Sequence, residues 1–308
     1  MSQSSKLSQL QFEPLPPVPA VSLARKLKLI PVFRNASVDE LFRISEIARQ
    51  VRYPASAVVS ERGAPAEYIQ ILLQGEFRVE GGEARKLAPP AMLGFEEVLR
   101  GTTLRESASA SGDSVALVMP AEDFRALLSA NIELAQGLFR TLLDPSHSGP
   151  GSGGVSLGKR SDAFRYVERG EPLKTVEKAL LLQTIPIFSR ATGEEIYEVA
   201  AIARETGREQ GSTLLEPGKE AAILLVLAGE LRLSSPEGEL STVSPGESLG
   251  VRETLAGSAW PVTATVERAG RFLQLDREPL FDLLADRLDL LHGVFTAVFL
   301  DREGEPLR

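Results

Sequence analysis

The sequence predicts a mainly β protein with α-helices, built as two tandem β-barrel or jelly-roll domains that are each flanked by N- and C-terminal helices. Three observations lead to this prediction. A long segment of the first half recurs in the second half. Each copy opens and closes with a helical pattern, and the chain between consists of short β-branched runs broken by glycine and proline. The length of 308 residues suits two domains of ordinary size.

The repeat begins at Ile30 with IPVFRNASVDELFRISEIARQ and again at Ile185 with IPIFSRATGEEIYEVAAIARE. The correspondence continues to the end of each copy, where Gly137 and Phe139 match Gly293 and Phe295. One recurrence at so long a spacing indicates two copies of a domain rather than a short-period solenoid.

The repeat also sets the expected domain limits. We expect a flexible N-terminal segment over 1–21, a first domain over 22–143, a linker over 144–171 and a second domain over 172–308. The linker prediction rests on DPSHSGPGSGGVSLG, whose Gly, Ser and Pro content suits a flexible connector. Its GPGSGG stretch lacks the Lys-Ser/Thr ending and the preceding apolar strand of a phosphate-binding loop.

Helices are predicted at both ends of each copy. Ser37 to Glu40 and Thr192 to Glu195 are capping boxes, and apolar residues follow them at helical spacing. A further helix over Pro172 to Gln183, with proline at its first position, leads into the second copy. Terminal helices are predicted over Ala121 to Leu143 and Glu278 to Phe299.

The strand-rich regions lie between these helices, over about Val51 to Met119 and Gly207 to Leu275. The apolar surplus of the last helix could form a dimer or partner contact, although internal packing accounts for most of it.

The composition argues against several classes of function. The formal charge is −8, and an acidic chain without a basic stripe disfavours nucleic acid as a partner. There are no cysteines and two histidines, so thiolate chemistry is excluded and imidazole chemistry is scarce. No nucleophile elbow, Walker motif or dinucleotide fingerprint is present, and we expect no enzyme, no catalytic residue, no metal and no cofactor.

The opening of the chain has no secretory signal pattern, and we assign the protein to the cytoplasm. The most apolar stretches, Ala221 to Ala228 and Leu290 to Leu300, are too short to cross a bilayer, so no membrane insertion is expected.

Two matching segments, YIQILLQGEFRVE and AILLVLAGELRLS, together with the order of helix, strands and helix, resemble the cyclic nucleotide-binding domain family. In that family a phosphate-binding cassette follows, with phenylalanine-glycine-glutamate, a short apolar helix, and arginine-small-alanine-threonine. The resemblance implies that the glutamate accepts a ribose hydroxyl and that the arginine neutralises the cyclic phosphate.

The corresponding segments here are LGFEEVLRGTTLRESASA, from Leu93, and LGVRETLAGSAWPVTATV, from Leu249. On this resemblance the candidate ligand-binding positions are Gly94, Phe95, Glu96, Glu97, Arg105, Glu106 and Ser107 in the first copy, and Gly250, Val251, Arg252, Glu253, Val262 and Thr263 in the second.

Both segments have lost both anchors, the glutamate and the arginine. Phe95 and Glu106 stand where the glutamate and the arginine are expected, as do Val251 and Val262 in the second copy. Losing one partner of a buried charge pair costs about 2–5 kcal/mol, so we expect ordinary cyclic AMP or cyclic GMP binding to be lost.

In the first copy other residues could replace the lost anchors of cyclic nucleotide binding. Arg105 is one residue from the expected place of the arginine, and Glu96 or Glu97 could reach the ribose. Arg252 and Glu253 could act similarly, although solvated charges on a surface helix are the simpler interpretation. Trp260 either covers a planar ligand or fills an empty pocket, and the second alternative is favoured.

These observations favour a regulatory or scaffolding protein that binds a protein partner, associates with itself, or senses an unidentified small ligand. The alternative is a cyclic nucleotide receptor with a displaced cassette in the first domain. A kinase regulatory subunit is not expected, because no arginine-arginine-x-serine/alanine segment precedes the first copy. A transcription activator is not expected either, because the sequence contains no helix-turn-helix after the sensor domain.

Overall fold

The computed structural model describes residues 12–81, 84–144, 155–156, 162–235 and 238–302. Contacts along the chain group it into two compact units, Met1–Leu134 and Ala135–Arg308. Each unit contains antiparallel strands with helices before and after them, which confirms the predicted fold class.

The elements of the first unit follow the predicted order. They are β1 (Glu13–Pro14), α1 (Ala20–Lys28), a 3-10 helix (Pro31–Phe33), α2 (Val38–Ile47), β2 (Arg49–Tyr53), β3 (Val58–Ser60), β4 (Tyr68–Gln74), β5 (Phe77–Glu80), β6 (Arg85–Leu87), β7 (Ala91–Leu93), α3 (Phe95–Arg100), β8 (Ser107–Ala110), β9 (Ser114–Pro120) and α4 (Ala121–Ala130). The next helix, α5 (Ile132–Leu142), contains the division between the two units.

The described strands of the first unit form two sheets, in the orders β1-β2-β9-β4-β7 and β3-β8-β5-β6. Apolar side chains from both sheets fill the space between them. One polar pair lies in this core, where the Tyr53 hydroxyl donates to Oε1 of Gln70 at 2.5 Å and Gln70 Nε2 donates to the Val59 carbonyl at 2.7 Å. These bonds satisfy the buried polar groups that would otherwise destabilise the barrel.

The second unit repeats the plan. Its elements are β10 (Val155–Ser156), a 3-10 helix (Asp162–Arg169), α6 (Thr175–Leu182), a 3-10 helix (Pro186–Phe188), α7 (Gly193–Ile202), β11 (Arg204–Arg208), β12 (Thr213–Leu215), β13 (Ala222–Ser235), β14 (Gly238–Val243), β15 (Ser248–Leu249), α8 (Val251–Ala256), β16 (Thr263–Asp276), α9 (Arg277–Asp286) and α10 (Leu288–Arg302).

The second barrel is built around two long strands, β13 and β16, which pair with each other over most of their length. Glycine permits their close approach, because a Cβ at Gly229 would lie 2.6 Å from the Arg268 carbonyl oxygen. The pairing shifts register on either side of this glycine. The two strands therefore stay paired across these register shifts.

Both capping boxes are confirmed. Ser37 N donates to Glu40 Oε2 at 2.5 Å, and Glu40 N donates to Ser37 Oγ at 3.2 Å. Thr192 and Glu195 exchange the equivalent bonds at the start of α7. The two helices therefore begin where the sequence predicted.

Each terminal helical region consists of two helices instead of one. The break falls at Asn131 in the first copy and at Arg287 in the second, both with non-helical backbone angles. The helix before the second copy begins at Thr175, so Pro172 precedes it. Within the range expected to be a linker, Asp162–Arg169 forms a 3-10 helix that buries Phe164.

The apolar side chains of α10 are internal: Leu290, Leu291, Val294, Phe295 and Val298 are each at most 4% exposed. Internal packing therefore accounts for most of the apolar surplus noted in the sequence. Among the described residues, no helix combines the length and the apolar character needed to cross a membrane.

Candidate functional site

The two candidate sites share one backbone frame, a six-residue helix between two left-handed glycines. Gly94 (φ 76°) precedes α3 and Gly101 (φ 64°) follows it. Gly250 (φ 81°) and Gly257 (φ 64°) bracket α8 in the same way. The duplicated cassette segments therefore fold alike, whatever their side chains.

The first glycine of each frame also touches a strand. A Cβ at Gly94 would lie 2.5 Å from the Tyr68 carbonyl oxygen, and one at Gly250 would lie 2.1 Å from that of Ala222. No side chain fits at either place, so the start of each helix is held against the barrel wall.

The chain after each helix is tied to a neighbouring turn. Leu104 donates its N–H to the Ala64 carbonyl at 2.8 Å, and Trp260 donates its N–H to the Lys219 carbonyl at 2.8 Å. These equivalent bonds fix the two residues whose side chains lie beside Gly94 and Gly250.

In the first site the helix α3 carries a small charge network. Glu96 Oε1 accepts a hydrogen bond from Arg100 at 2.7 Å and also pairs with Arg105. Arg105 Nε lies 3.6 Å from Glu97 Oε1. The structure thus brings together Glu96, Glu97 and Arg105, and the arginine contacts the chain's own carboxylates.

Glu106 lies apart from this network. Both of its carboxylate oxygens accept from Arg85 on β6, each at 2.7 Å. Ser107 is held separately, because its Oγ accepts from the Arg62 N–H at 3.0 Å. The negative charge at Glu106 is thereby neutralised by a strand neighbour.

Phe95 is part of the protein core and is 7% exposed. Its ring makes edge-on contacts with Phe33 and Phe124, at centroid distances of 6.1 and 6.0 Å. The side chain at the position where the resemblance places a ribose-binding carboxylate therefore packs α3 against its neighbouring helices.

In the second site, Arg252 and Glu253 on α8 have different surroundings. Arg252 donates from Nε and from one terminal nitrogen to the Leu143 carbonyl, at 3.0 and 2.7 Å. Glu253 is largely buried, and within the described residues its Oε2 has no hydrogen-bond partner. Burial raises the pKa of this carboxyl group above its ordinary value.

A sequence difference between the two copies leaves Glu253 without the cation that lies near its counterpart in the first copy. Glu253 corresponds to Glu97, which lies near Arg105, but the second copy has Pro261 where the first has Arg105. The second copy therefore keeps the carboxylate and lacks the equivalent cation.

Trp260 lies inside the second barrel. It is 3% exposed and packs with Leu224, Leu249 and Val266 in the barrel core. Val262 packs against the same core. Thr263 begins β16 and pairs with Ser234 across the sheet. The ring is therefore part of the barrel core.

Several residues that contact the candidate sites were not predicted from the sequence. Arg277 donates from Nε to the Thr254 carbonyl at 3.1 Å and lies over the Phe281 ring. Arg85 and Arg140 likewise contact the candidate segments. The Glu96–Arg100 pair could have been found from its i,i+4 spacing, whereas the others depend on the tertiary fold.

The fold and the paired sites define a class of protein, a tandem arrangement of β-barrel domains that each hold a glycine-bracketed short helix against the barrel. The model of the cyclic nucleotide-binding domain matches residues 50–131 and 208–287, together more than half of the chain. The chain therefore belongs to the cyclic nucleotide-binding domain family.

Solved structures include several similar chains. The regulatory domain of Toxoplasma gondii PKA with cAMP is 15% identical, with a TM-score of 0.35 over 88% of this chain and 94% of that chain. The regulatory subunit of a cAMP-independent protein kinase A from Trypanosoma brucei is 15% identical, with a TM-score of 0.35 over 90% and 92%.

A third structure matches part of the chain. It is the N-terminal domain of a transcriptional regulator from Streptomyces coelicolor A3(2), 24% identical, with a TM-score of 0.38 over 40% of this chain and 91% of that chain. A search of curated protein sequences found no match.

Proposed function

We propose that this protein is a non-enzymatic regulatory or scaffolding protein whose two cyclic nucleotide-binding domains have lost ordinary cyclic AMP and cyclic GMP binding. Its partner is another protein or a second copy of the chain. We further propose that it acts in the cytoplasm and that its domains extend over 22–143 and 172–308. One observation carries the proposal: the expected glutamate and arginine are absent from both copies, and Phe95, Glu106 and Val262 at those positions contact other residues of their own domain.

In the first copy, Phe95 packs in the core and Glu106 is paired with Arg85. A cyclic phosphate near Glu106 would meet a carboxylate instead of a guanidinium. Leaving one member of a buried charge pair without its partner costs about 2–5 kcal/mol, and about 1.4 kcal/mol changes affinity tenfold. Affinity should therefore fall by at least an order of magnitude.

In the second copy both anchor positions are valine, and Val262 packs against the barrel core beside Trp260. The tryptophan ring takes up space inside the barrel. This site therefore combines missing anchors with reduced volume, and it supports loss of binding more strongly than the first.

A cyclic nucleotide receptor with a displaced cassette in the first domain is the second candidate. The observation that favours it is the position of Arg105, whose side chain is 44% exposed beside Glu96 and Glu97. A partly exposed ion pair of this kind contributes only about 0–1 kcal/mol. A phosphate could therefore displace these carboxylates at modest cost.

Amide hydrogen exchange of the full chain, with and without about 1 mM cyclic AMP or cyclic GMP, separates the two candidates. A ligand at a hundred times its Kd stabilises the folded state by about 2.7 kcal/mol, which slows exchange in the helix it contacts. We expect no change in α3 or α8.

Protection of α3 that disappears in Arg105→Ala would establish the receptor instead. The matched control is Arg78→Ala, which removes another partly exposed arginine of the first unit, paired with Glu80. Sedimentation velocity over a range of protein concentrations tests self-association.

A further inference from the structure

Proline restricts the chain before α1 to extended backbone. The seven residues from Glu13 to Pro19 read EPLPPVP, in which every residue is either a proline or the residue before one. The proline ring fixes φ at about −65°, and the residue before a proline is disfavoured in the α region. Consecutive residues of this kind favour polyproline II, a left-handed helix with three residues per turn. Pro19, with φ −52° and ψ 134°, has this extended backbone.

The exposure of the segment repeats with the period of that helix. Phe12, Leu15 and Val18 are half-buried, and the residues between them are exposed. Because a polyproline II helix has three residues per turn, these three side chains lie along one edge, which faces the first unit. The other two edges face solvent. They carry Pro14, Pro16, Pro17 and Pro19.

The segment is held at both ends. Phe12 packs against the core of the first barrel, and the Leu15 N–H donates to the Gln50 carbonyl at 3.0 Å. At the other end the Pro19 carbonyl accepts from the Ser22 N–H at 2.8 Å, where α1 begins. The segment is therefore ordered before any partner binds, and association does not have to order it.

The fold accounts for only part of this proline content. Pro14 lies on β1, the edge strand of its sheet, where proline discourages pairing with another strand. Pro16 and Pro17 lie between β1 and α1, outside both elements, and their side chains are exposed. Neither core packing nor protection of the sheet edge explains these two prolines, so they form a surface that a partner can contact.

The charges that follow the prolines are all positive. No Asp or Glu occurs in the sequence between Glu13 and Asp39. The cations of this stretch are Arg25, Lys26, Lys28 and Arg34. Arg25 is exposed on α1, and at about 1.5 Å per helical residue it lies about 9 Å along the helix axis from Pro19. A partner that contacts both should therefore carry carboxylates beside its proline-binding surface.

We propose that residues 13–19 are a preformed proline-rich ligand for a partner protein whose binding groove is lined by aromatic side chains and flanked by carboxylates. Such grooves recognise polyproline II helices, which lose little conformational entropy on binding. The inference goes beyond the proposed function, because the segment lies outside both candidate sites. It names the kind of protein partner and holds whether or not either domain binds a cyclic nucleotide.

The first experiment titrates the full chain into two purified probes, an SH3 domain and a WW domain, which bind proline-rich segments through aromatic-lined grooves. NMR spectra of the isotope-labelled probe show where the chain binds. We expect at least one probe to bind, with shifts confined to its groove. The double variant Pro16→Ala/Pro17→Ala should weaken this binding by about tenfold or more, because alanine removes the ring contacts and the fixed backbone.

Pro31→Ala is the matched control. Pro31 is another exposed proline of the first unit, at the start of the first 3-10 helix, and its replacement should leave the affinity unchanged. Far-UV circular dichroism verifies that each variant is folded. The double variant and the control thus separate loss of the polyproline surface from a general effect of removing proline.

Two further variants test the anchor and the charge. Phe12→Ala keeps every proline but removes the contact with the barrel core, so affinity should fall by about twofold to tenfold as the segment must be ordered on binding. Arg25→Glu should weaken binding more at low than at high ionic strength, because salt screens exposed charges.

Three results would overturn the proposal: no binding to either probe at about 1 mM, equal affinity of Pro16→Ala/Pro17→Ala and wild type, or unchanged affinity in Phe12→Ala. The proposed function fails separately. Saturable heat with cyclic AMP or cyclic GMP would contradict that function and leave the proline-rich ligand intact, whereas loss of probe binding would leave the nucleotide titration unchanged.

Discussion

Phe139 and Phe295, which occupy equivalent positions in the two copies of the repeat, stack face to face with ring centroids 4.2 Å apart and planes 15° from parallel. Both side chains are fully buried. The helices α5 and α10 therefore pack within the second unit through the same residue of each repeat.

This pair gives the first prediction. Phe139→Ala should destabilise the second unit by about 3–5 kcal/mol, because it empties a buried ring site. Urea unfolding followed by Trp260 fluorescence measures the loss, and Tyr197→Ala, at a 52% exposed position, should change little. Because the rings touch, Phe139→Ala combined with Phe295→Ala should cost less than the sum of the single changes. Strict additivity would contradict the stacking.

Trp260 is the single tryptophan of the chain, so its fluorescence reports on the second barrel alone. With 3% exposure, the ring should emit well to the blue of free tryptophan and be protected from quenching by iodide. The same protein unfolded in urea is the reference. Emission and quenching equal to that reference would contradict the buried position and favour an exposed lid.

The glycine that opens the first site should be intolerant of substitution. Gly94→Ala combines a left-handed backbone with a 2.5 Å approach to the Tyr68 carbonyl, so we expect a loss above about 3 kcal/mol. Gly63→Ala is the matched control, because Gly63 has φ 85° but nothing within 4 Å of the added Cβ. It should cost about 1–2 kcal/mol. Urea unfolding followed by circular dichroism compares them, and equal losses would refute the close approach.

The buried carboxyl group of Glu253 should make the free energy of unfolding depend on pH. Burial raises the pKa of its carboxyl group above the ordinary 4.5, so the folded state binds the proton more tightly than the unfolded chain. The unfolding free energy therefore falls as pH rises from that ordinary value through the raised one, and remains lower above it.

An amide cannot ionise, so Glu253→Gln should equal the wild type near about pH 4 and be more stable at about pH 8. Unfolding by urea at both pH values measures the difference. Glu97→Gln is the matched control, because it makes the same change at the equivalent position of the first copy, where Arg105 lies near the carboxylate. A Glu253→Gln variant without this gain would show that the buried carboxylate is compensated.

The repeat, the capping boxes and the strand-rich middle of each copy could be predicted because their signals are local. Ser37 and Glu40 lie three positions apart and bond as their spacing indicates. The break between α9 and α10 could not be predicted, since Arg287 is an ordinary helix residue and the apolar spacing continues across it.

The site was only partly predictable for the same reason. The sequence indicated Glu96, Glu97 and Arg105 as candidate ligand-binding positions, and in the structure these side chains contact one another. The bond from Arg252 to the Leu143 carbonyl joins residues 109 positions apart, and the contact of Glu106 with Arg85 depends on strand pairing. No local pattern contains such information.

We propose that neither domain binds cyclic nucleotides in the ordinary way. Isothermal titration of the full chain with cyclic AMP and cyclic GMP, carried to millimolar ligand, tests this proposal. We expect no saturable heat for either nucleotide. Saturable heat at micromolar ligand would contradict it and make at least one domain a receptor.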